Sequence, residues 1–78
     1  MIEQAVKDLV CSVLKLPPDQ YSEDLAAGDV PAWDSLGHVN LLMAVEKHFG
    51  IALEVVDSIE IETAGDILDV VKRYKHLN

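Results

Sequence analysis

Ser35 occupies a position where a serine can react or be modified. Asp34 precedes it, and His38 follows three residues later, within the sequence PAWDSLGHV. Side chains three positions apart meet on one face of an α-helix, so a helix that begins at Ser35 would bring the hydroxyl near the imidazole. Three interpretations are open: an ordinary serine of a first helical turn, a nucleophile with His38 as its base, or a serine that another enzyme modifies.

Catalysis by Ser35 and His38 is the weaker of the two functional interpretations. A serine nucleophile needs a base that a third group orients, an oxyanion hole and a pocket, and the surrounding residues do not form the G-x-S-x-G turn of serine hydrolases. A modified serine explains the position better. A phosphate ester in a first turn would lie near free backbone N–H groups, at the positive end of the helix dipole. We therefore predict that the protein is not an enzyme.

Hydrophobic periodicity predicts the helices that must position this serine. The first helix extends from Ile2 to about Leu16, and Pro17-Pro18 ends it because the residue before a proline avoids the helical region. Cys11 falls on the polar side, so we expect an exposed thiol. The apolar stripe of this helix contains Ile2, Ala5, Val6, Leu9, Val13 and Leu16.

The second predicted helix extends from Ser35 to Phe49. Asp34 is a good N-cap because its carboxylate can accept hydrogen bonds from free backbone N–H groups, and Gly50 suits the position after the last turn. Gly37 is expected to weaken the first turn by roughly 1 kcal/mol relative to alanine.

Two further segments complete the predicted fold. IALEVVDSIEIE alternates partly like a strand, but a single strand would have no partner, so we expect a loop with a short helical turn near Val55–Ile59. The last helix extends from Ala64 to about Tyr74, with Thr63 as its cap and Asp66 as the capping-box acid. Its apolar stripe contains Ile67, Val70, Val71 and Tyr74. The prediction is an all-α protein, a small four-helix bundle with three longer helices, one short helix and a long first loop.

The first loop, Pro17 to Trp33, has no sustained hydrophobic period and contains all three prolines. A loop of this length is uncommon inside a compact domain and is often functional. We expect a turn around Ser22–Ala26, with Leu25 pinning the loop to the core.

The apolar residues of the second helix form two arcs that together are wider than one core-facing stripe needs. An unpaired glutamate is almost never buried, so we expect the arc beside Glu46 to be open to solvent and the other arc to face the core. An open apolar surface next to Ser35 is a candidate docking site; the alternative is a bundle that covers both arcs. The core arc is Leu41, Leu42, Val45 and Phe49, and the open arc is Leu36, Val39 and Met43.

Composition excludes several classes of protein. A chain of 78 residues suits one domain, residues 1–78. The net charge of −8 repels nucleic-acid phosphates and anionic membrane surfaces, and no apolar run approaches the roughly 18 residues of a membrane span. Cys11 is the only cysteine, so no intrachain disulfide can form, as in reducing cytoplasmic surroundings. We expect a cytoplasmic monomer without a metal site.

Together these features resemble the acyl carrier protein family. The shared features are Asp34-Ser35-Leu36 at the start of an apolar helix halfway along an acidic chain, the long first loop, EKHFGI at the end of the second helix, and ETAGDILDVV at the start of the last. The resemblance implies a 4′-phosphopantetheine arm on Ser35, transferred from coenzyme A by a magnesium-dependent phosphopantetheinyl transferase. Acyl groups would be held as thioesters on this arm. Loading and acyl-transfer enzymes would then be the partners.

The resemblance also assigns roles to the neighbours of the serine. Asp34 would cap the helix and contact the transferase or its metal. Leu36, Val39 and Met43 would line the arm and the docking site of partner enzymes, with Glu46 at the rim. A helical protein–protein interaction module without a covalent cofactor is the alternative.

The sequence departs from the acid-rich carriers of fatty acid synthesis. Glu46 is the only acid within the second helix, Gly37-His38 replaces the usual acid after the leucine, and Trp33 precedes Asp34. WDSLGH is more similar to carriers of specialised pathways, whose cargo includes aminoacyl and hydroxyacyl groups. Trp33 and His38 also stand where the two partners of a hydrophobic staple would.

Overall fold

The protein is a bundle of four α-helices in the computed structural model, which describes residues 2–77. Within this range the structure contains no β-strand, only an isolated antiparallel bridge between Ala26 and Thr63. The predicted all-α fold, with three longer helices, one short helix and a long first loop, is confirmed. The helices are α1 (Ile2–Leu14), α2 (Ser35–Phe49), α3 (Val55–Glu60) and α4 (Ala64–Leu77), and one turn of 3₁₀ helix spans Pro18–Gln20.

The core lies where α1 packs against both α2 and α4. Because α1 contacts two helices, its buried face is wider than the predicted stripe and is turned relative to it. Val10 and Leu14 are buried beside Val6, whereas Leu9 and Val13 are only partly buried. The largest fully buried side chains are Trp33, Leu41, Ile67, Val6, Val10, Val45 and Val71.

The end of α1 differs from the prediction. The helix ends at Leu14, because Lys15 adopts a left-handed conformation with φ of 55°, and the Leu16 N–H donates to the Cys11 carbonyl over 2.8 Å. The prediction of an exposed Cys11 is wrong: the side chain is partly buried and packs against the core. This burial raises the pKa of the Cys11 thiol.

The first loop is held to the start of α4 by backbone hydrogen bonds. The Ala64 N–H donates to the Leu25 carbonyl, and the Gly65 N–H donates to that of Glu23, each over 2.9 Å. In the opposite direction the Ala27 N–H donates to the Glu62 carbonyl over 2.9 Å. The predicted contact of Leu25 with the core is confirmed. The loop is therefore a fixed part of the fold that delivers the chain to Ser35.

Helix α4 begins as predicted and ends later. The Asp66 N–H donates to the Thr63 hydroxyl oxygen over 3.1 Å, and the Thr63 N–H donates to the Asp66 carboxylate over 3.1 Å. The helix continues past Tyr74 to Leu77. Among the described residues, no helix combines the length and the apolar character that crossing a membrane requires.

Candidate functional site

Ser35 is the first residue of α2 and is exposed. Asp34 precedes it in an extended conformation, and its Oδ1 accepts a hydrogen bond from the Gly37 N–H over 2.8 Å. At the other end Gly50 has a φ of 66°, the left-handed conformation that glycine adopts without strain. The predicted bounds and both predicted caps of α2 are therefore confirmed. They place the serine hydroxyl at the N-terminal end of the helix.

Gly37 has a role that its helix propensity does not reveal. It is buried, and a Cβ atom at this position would lie 1.9 Å from the carbonyl oxygen of Ala32. No side chain can occupy this space unless the backbone moves. Gly37 therefore allows the end of the first loop to lie directly against the first turn of α2, which fixes the approach to Ser35.

Trp33, His38 and Ser58 connect the first loop, α2 and α3. The indole of Trp33 is fully buried, and its Nε1–H donates to His38 Nδ1 over 3.1 Å. His38 Nε2 lies 3.2 Å from the Ser58 carbonyl oxygen, which can only accept, so Nε2 carries the imidazole proton. The predicted contact between Trp33 and His38 is confirmed, although it is a hydrogen bond between nearly parallel rings that meet edge to edge rather than a purely apolar staple. With both ring nitrogens engaged, His38 is not placed to act as a base for Ser35.

Ser35 also borders a groove of about 670 Å³ between the first loop, α2 and α3. Trp33, Asp34 and His38 form one side of the groove, while Ser58 and Ile59 of α3 form part of the other. An extended group attached to the serine would have this groove beside its root.

The two arcs of α2 are separated as predicted. In the predicted core arc, Leu41 and Val45 are buried, while Leu42 and Phe49 are partly buried and pack against the core. The other arc is open: the exposed fractions are 69% for Leu36, 51% for Val39 and 60% for Met43. These three side chains follow the serine along one face of the helix.

Glu46 has a structural contact that the sequence did not indicate. Its side chain is partly buried, and its Oε2 accepts a hydrogen bond from the Leu53 N–H over 2.8 Å. The carboxylate therefore holds the segment between α2 and α3, besides standing next to the open arc.

Helix α3 adds exposed apolar residues that were not predicted from the sequence. Val55, Val56 and Ile59 are 77%, 53% and 71% exposed. These are the first, second and fifth residues of α3. In a helix this spacing places the three side chains on one face. We call the exposed apolar residues of α2 and α3 together the apolar strip: Leu36, Val39, Met43, Val55, Val56 and Ile59.

Asp57 is the buried residue of α3. Its carboxylate accepts hydrogen bonds from the Tyr74 hydroxyl and from the Glu54 N–H, and one oxygen lies 3.6 Å from the Arg73 guanidinium. The Tyr74 hydrogen bond is the main reason that the pKa of Asp57 is lowered, and the same bond raises the pKa of Tyr74. Asp57 therefore joins α3 to α4 as an ionised carboxylate.

A small helical bundle with an exposed, capped serine at the start of its second helix defines a class of carrier protein. The family model described as "Phosphopantetheine attachment site" matches residues 4–71. The chain belongs to this family, so it carries a covalently attached 4′-phosphopantetheine. It is a carrier, and not an enzyme.

Comparison with individual proteins gives the same family. The chain is 32% identical over 76 residues to an acyl carrier protein from Thermosynechococcus vestitus, a match that covers 90% of this chain and 86% of the relative. It is 29% identical over 72 residues to an acyl carrier protein from Porphyromonas gingivalis, covering 92% of each chain. Proteins of this family hold acyl groups as thioesters on the arm, and the chain is one of these carriers. A helical interaction module without a covalent cofactor is thereby set aside.

Proposed function

We propose that Ser35 is the attachment point of the 4′-phosphopantetheine arm. The observation that carries this proposal is the exposed hydroxyl of Ser35 in the first residue of α2, directly after the Asp34 cap. In the transfer, the Ser35 oxygen would form the new bond to phosphorus, the nucleotide part of coenzyme A would leave, and the hydroxyl proton would pass to the transferase. The resulting phosphodiester would lie at the positive end of the α2 dipole.

The other residues around the serine support attachment without taking part in bond formation. Asp34 caps the first turn of α2, and its carboxylate would also contact the transferase or its metal. Leu36 flanks the root of the arm, and the groove beside Ser35 offers space for its first atoms. The arm supplies the thiol that forms the thioester, while this chain presents the arm to partner enzymes.

The mass of the intact protein tests the attachment site. After incubation with coenzyme A and a promiscuous phosphopantetheinyl transferase, the unaltered chain should gain the mass of one phosphopantetheine, and Ser35→Ala should gain nothing while keeping its helical circular dichroism. Ser12→Ala is the matched control, because Ser12 is also an exposed serine of a helix, and it should be modified normally. A Ser35→Ala variant that still gains the arm would refute the assignment.

We further propose that the partner enzymes dock on the apolar strip around Ser35. These are the phosphopantetheinyl transferase and the enzymes that load and remove acyl, aminoacyl or hydroxyacyl groups. The only acid within α2, Glu46, is already bound to the Leu53 N–H, so this helix offers few free charges to a basic partner. Apolar contacts fit better, which favours a carrier of a specialised pathway.

The remaining features of the proposed function concern the chain as a whole. We propose a single domain that acts as a cytoplasmic monomer. The lone cysteine suits reducing surroundings. The net charge of −8 disfavours nucleic acids and anionic membranes as partners.

A further inference from the structure

Helix α3 has no apolar anchor of its own. It contains six residues, and a helix this short is unstable in isolation. Its apolar side chains Val55, Val56 and Ile59 point to solvent, and its only buried side chain is the carboxylate of Asp57. Ile61, directly after the helix, is buried in the core, but the residues of α3 itself are tied to the other helices by polar contacts.

Two such contacts hold α3 from different sides. Asp57 binds Tyr74 and Arg73 of α4. The Ser58 carbonyl oxygen accepts from His38 Nε2 of α2, over 3.2 Å. His38 and Ser58 both line the groove that Ser35 borders, whereas Asp57 does not. The His38–Ser58 contact therefore lies closer to the serine than the contacts of Asp57.

We infer that His38 is a positioning residue that holds α3 beside Ser35, and that the buried Trp33 sets its tautomer for this task. The indole N–H can only donate a hydrogen bond, so His38 Nδ1 must accept it and carries no proton. The imidazole proton is then on Nε2, which faces the Ser58 carbonyl. The chain of contacts Trp33–His38–Ser58, which we call the α3 clamp, thus links the fully buried indole of Trp33 to the backbone of α3.

The α3 clamp matters for the function because of what it keeps together. It holds Ser58 and Ile59 in place along the groove that Ser35 borders, and so it fixes where the exposed apolar residues of α3 stand relative to the serine. A partner enzyme that reaches Ser35 would then meet the α3 residues of the apolar strip in a fixed position. This consequence rests on the proposed function, while the clamp itself rests on the geometry alone.

Amide hydrogen exchange of the unmodified protein tests the clamp. His38→Leu removes both hydrogen bonds, whereas His38→Gln keeps an acceptor oxygen and an N–H donor. In His38→Leu, the α3 amides of Ser58 and Ile61, which bond to Glu54 and Asp57, should exchange at least about tenfold faster, equivalent to about 1.4 kcal/mol of local opening. Exchange in α1 and α4 should not change, and His38→Gln should restore protection.

Controls separate this role from a general loss of stability. His48→Gln changes an exposed histidine of the same helix and should leave α3 protection as it is. Trp33→Phe keeps an aromatic ring but deletes the indole donor, so it should also accelerate α3 exchange selectively. Unchanged α3 protection in His38→Leu, or a uniform acceleration of all helices in both His38→Leu and Trp33→Phe, would overturn the inference.

Kinetics of the transferase give the functional readout. Since apparent affinity falls with the fraction of the binding-competent state, His38→Leu should raise the KM for the carrier at least about threefold with little change in kcat. His38→Gln should return KM towards that of the unaltered chain. The exchange measurement needs no attached arm, so failure of the Ser35 assignment and failure of the clamp are distinguishable. A KM that is equal in all three proteins would overturn the link to docking.

Discussion

Helix propensity and the packing around Gly37 predict opposite effects of Gly37→Ala on the free energy of unfolding. Helix propensity alone says that Gly37→Ala should stabilise α2 by about 1 kcal/mol. The structure reverses the sign, because the new Cβ would lie 1.9 Å from the Ala32 carbonyl oxygen and the loop would have to move. We expect Gly37→Ala to lower the free energy of unfolding by about 1–3 kcal/mol, as other overpacked sites do.

Urea unfolding followed by circular dichroism measures this effect. Asn40→Ala is the matched control, because Asn40 is exposed on the same helix and the change alters only propensity. It should be neutral or stabilising by up to about 0.6 kcal/mol. Stabilisation of both variants would show that the loop does not press on Gly37.

The buried carboxylate of Asp57 should make the free energy of unfolding depend on pH. Asp57→Asn should lower the free energy of unfolding by about 1–3 kcal/mol near neutral pH, because the hydrogen bond that the Tyr74 hydroxyl donates is no longer charge-assisted and the ion pair with Arg73 is lost. The folded-state pKa of Asp57 is lowered, so its contribution is complete above the ordinary value of about 3.9. It disappears as the pH falls through the lower folded value. The gap between the two proteins should therefore be constant from about pH 7 to 5 and shrink below about pH 4.

Unfolding free energies at neutral, mildly acidic and strongly acidic pH provide the check. Asp69→Asn, an exposed acid of α4, serves as the control and should have little effect at any of them. A gap between Asp57→Asn and the unaltered chain that stays constant down to strongly acidic pH would contradict the assigned role of the ionised carboxylate.

The sequence predicted the residues that act locally and missed those that act through distant neighbours. Asp34, Thr63 and Asp66 were placed correctly because a cap bonds to backbone groups three residues away. Gly37 was taken for a weakness, since its contact with Ala32 depends on the path of the preceding loop. Asp57 lies in an apparently alternating segment, and only the docking of α4 shows that its carboxylate is buried.

At the scale of elements, α2 is the helix whose bounds and faces the sequence predicted fully. Its ends are marked by the caps Asp34 and Gly50. Helical periodicity alone places Leu41 and Val45 on a different face from Met43. The end of α1 was missed because Lys15 leaves the helix through a left-handed conformation, which lysine rarely adopts. The shared face of Val55, Val56 and Ile59 follows from their helical spacing, but its exposure was missed because only the packing of the other helices shows which side of α3 is open.

The apolar strip can be tested with charges placed along α2. Val39→Asp and Met43→Asp should keep the helix content but slow pantetheinylation or acyl loading at least about tenfold, a loss of roughly 1.4 kcal/mol. Each replaces an exposed apolar side chain that a docked partner would cover. Ile59→Asp extends the test to α3, where a similar loss is expected.

Asn40→Asp is the matched control for these variants, because it adds the same charge to an exposed position of the same helix without removing apolar surface. It should change the rate far less. Leu41→Asp, in the core, should instead unfold the protein. If Asn40→Asp slows the reaction as much as Val39→Asp does, charge repulsion and not lost apolar contact is responsible, and the docking proposal fails.

At the scale of the whole molecule, the net charge of −8 is spread over a small surface and opposes compaction. Screening by salt should therefore raise the midpoint of urea unfolding between low and moderate ionic strength, where the Debye length falls to about 10 Å. A double variant, Asp24→Asn with Glu60→Gln, removes two exposed acids and should respond less. A midpoint that does not change with salt would contradict this expectation.

The same charge has a second consequence, for the encounters between copies of the protein. The apolar strip exposes side chains that would make two copies adhere if they met often at close range. Long-range repulsion between two strongly acidic molecules opposes such meetings. The charge therefore keeps the copies from aggregating although the apolar strip is exposed. Added salt would thus strengthen the fold of each copy while weakening the barrier that keeps the copies apart.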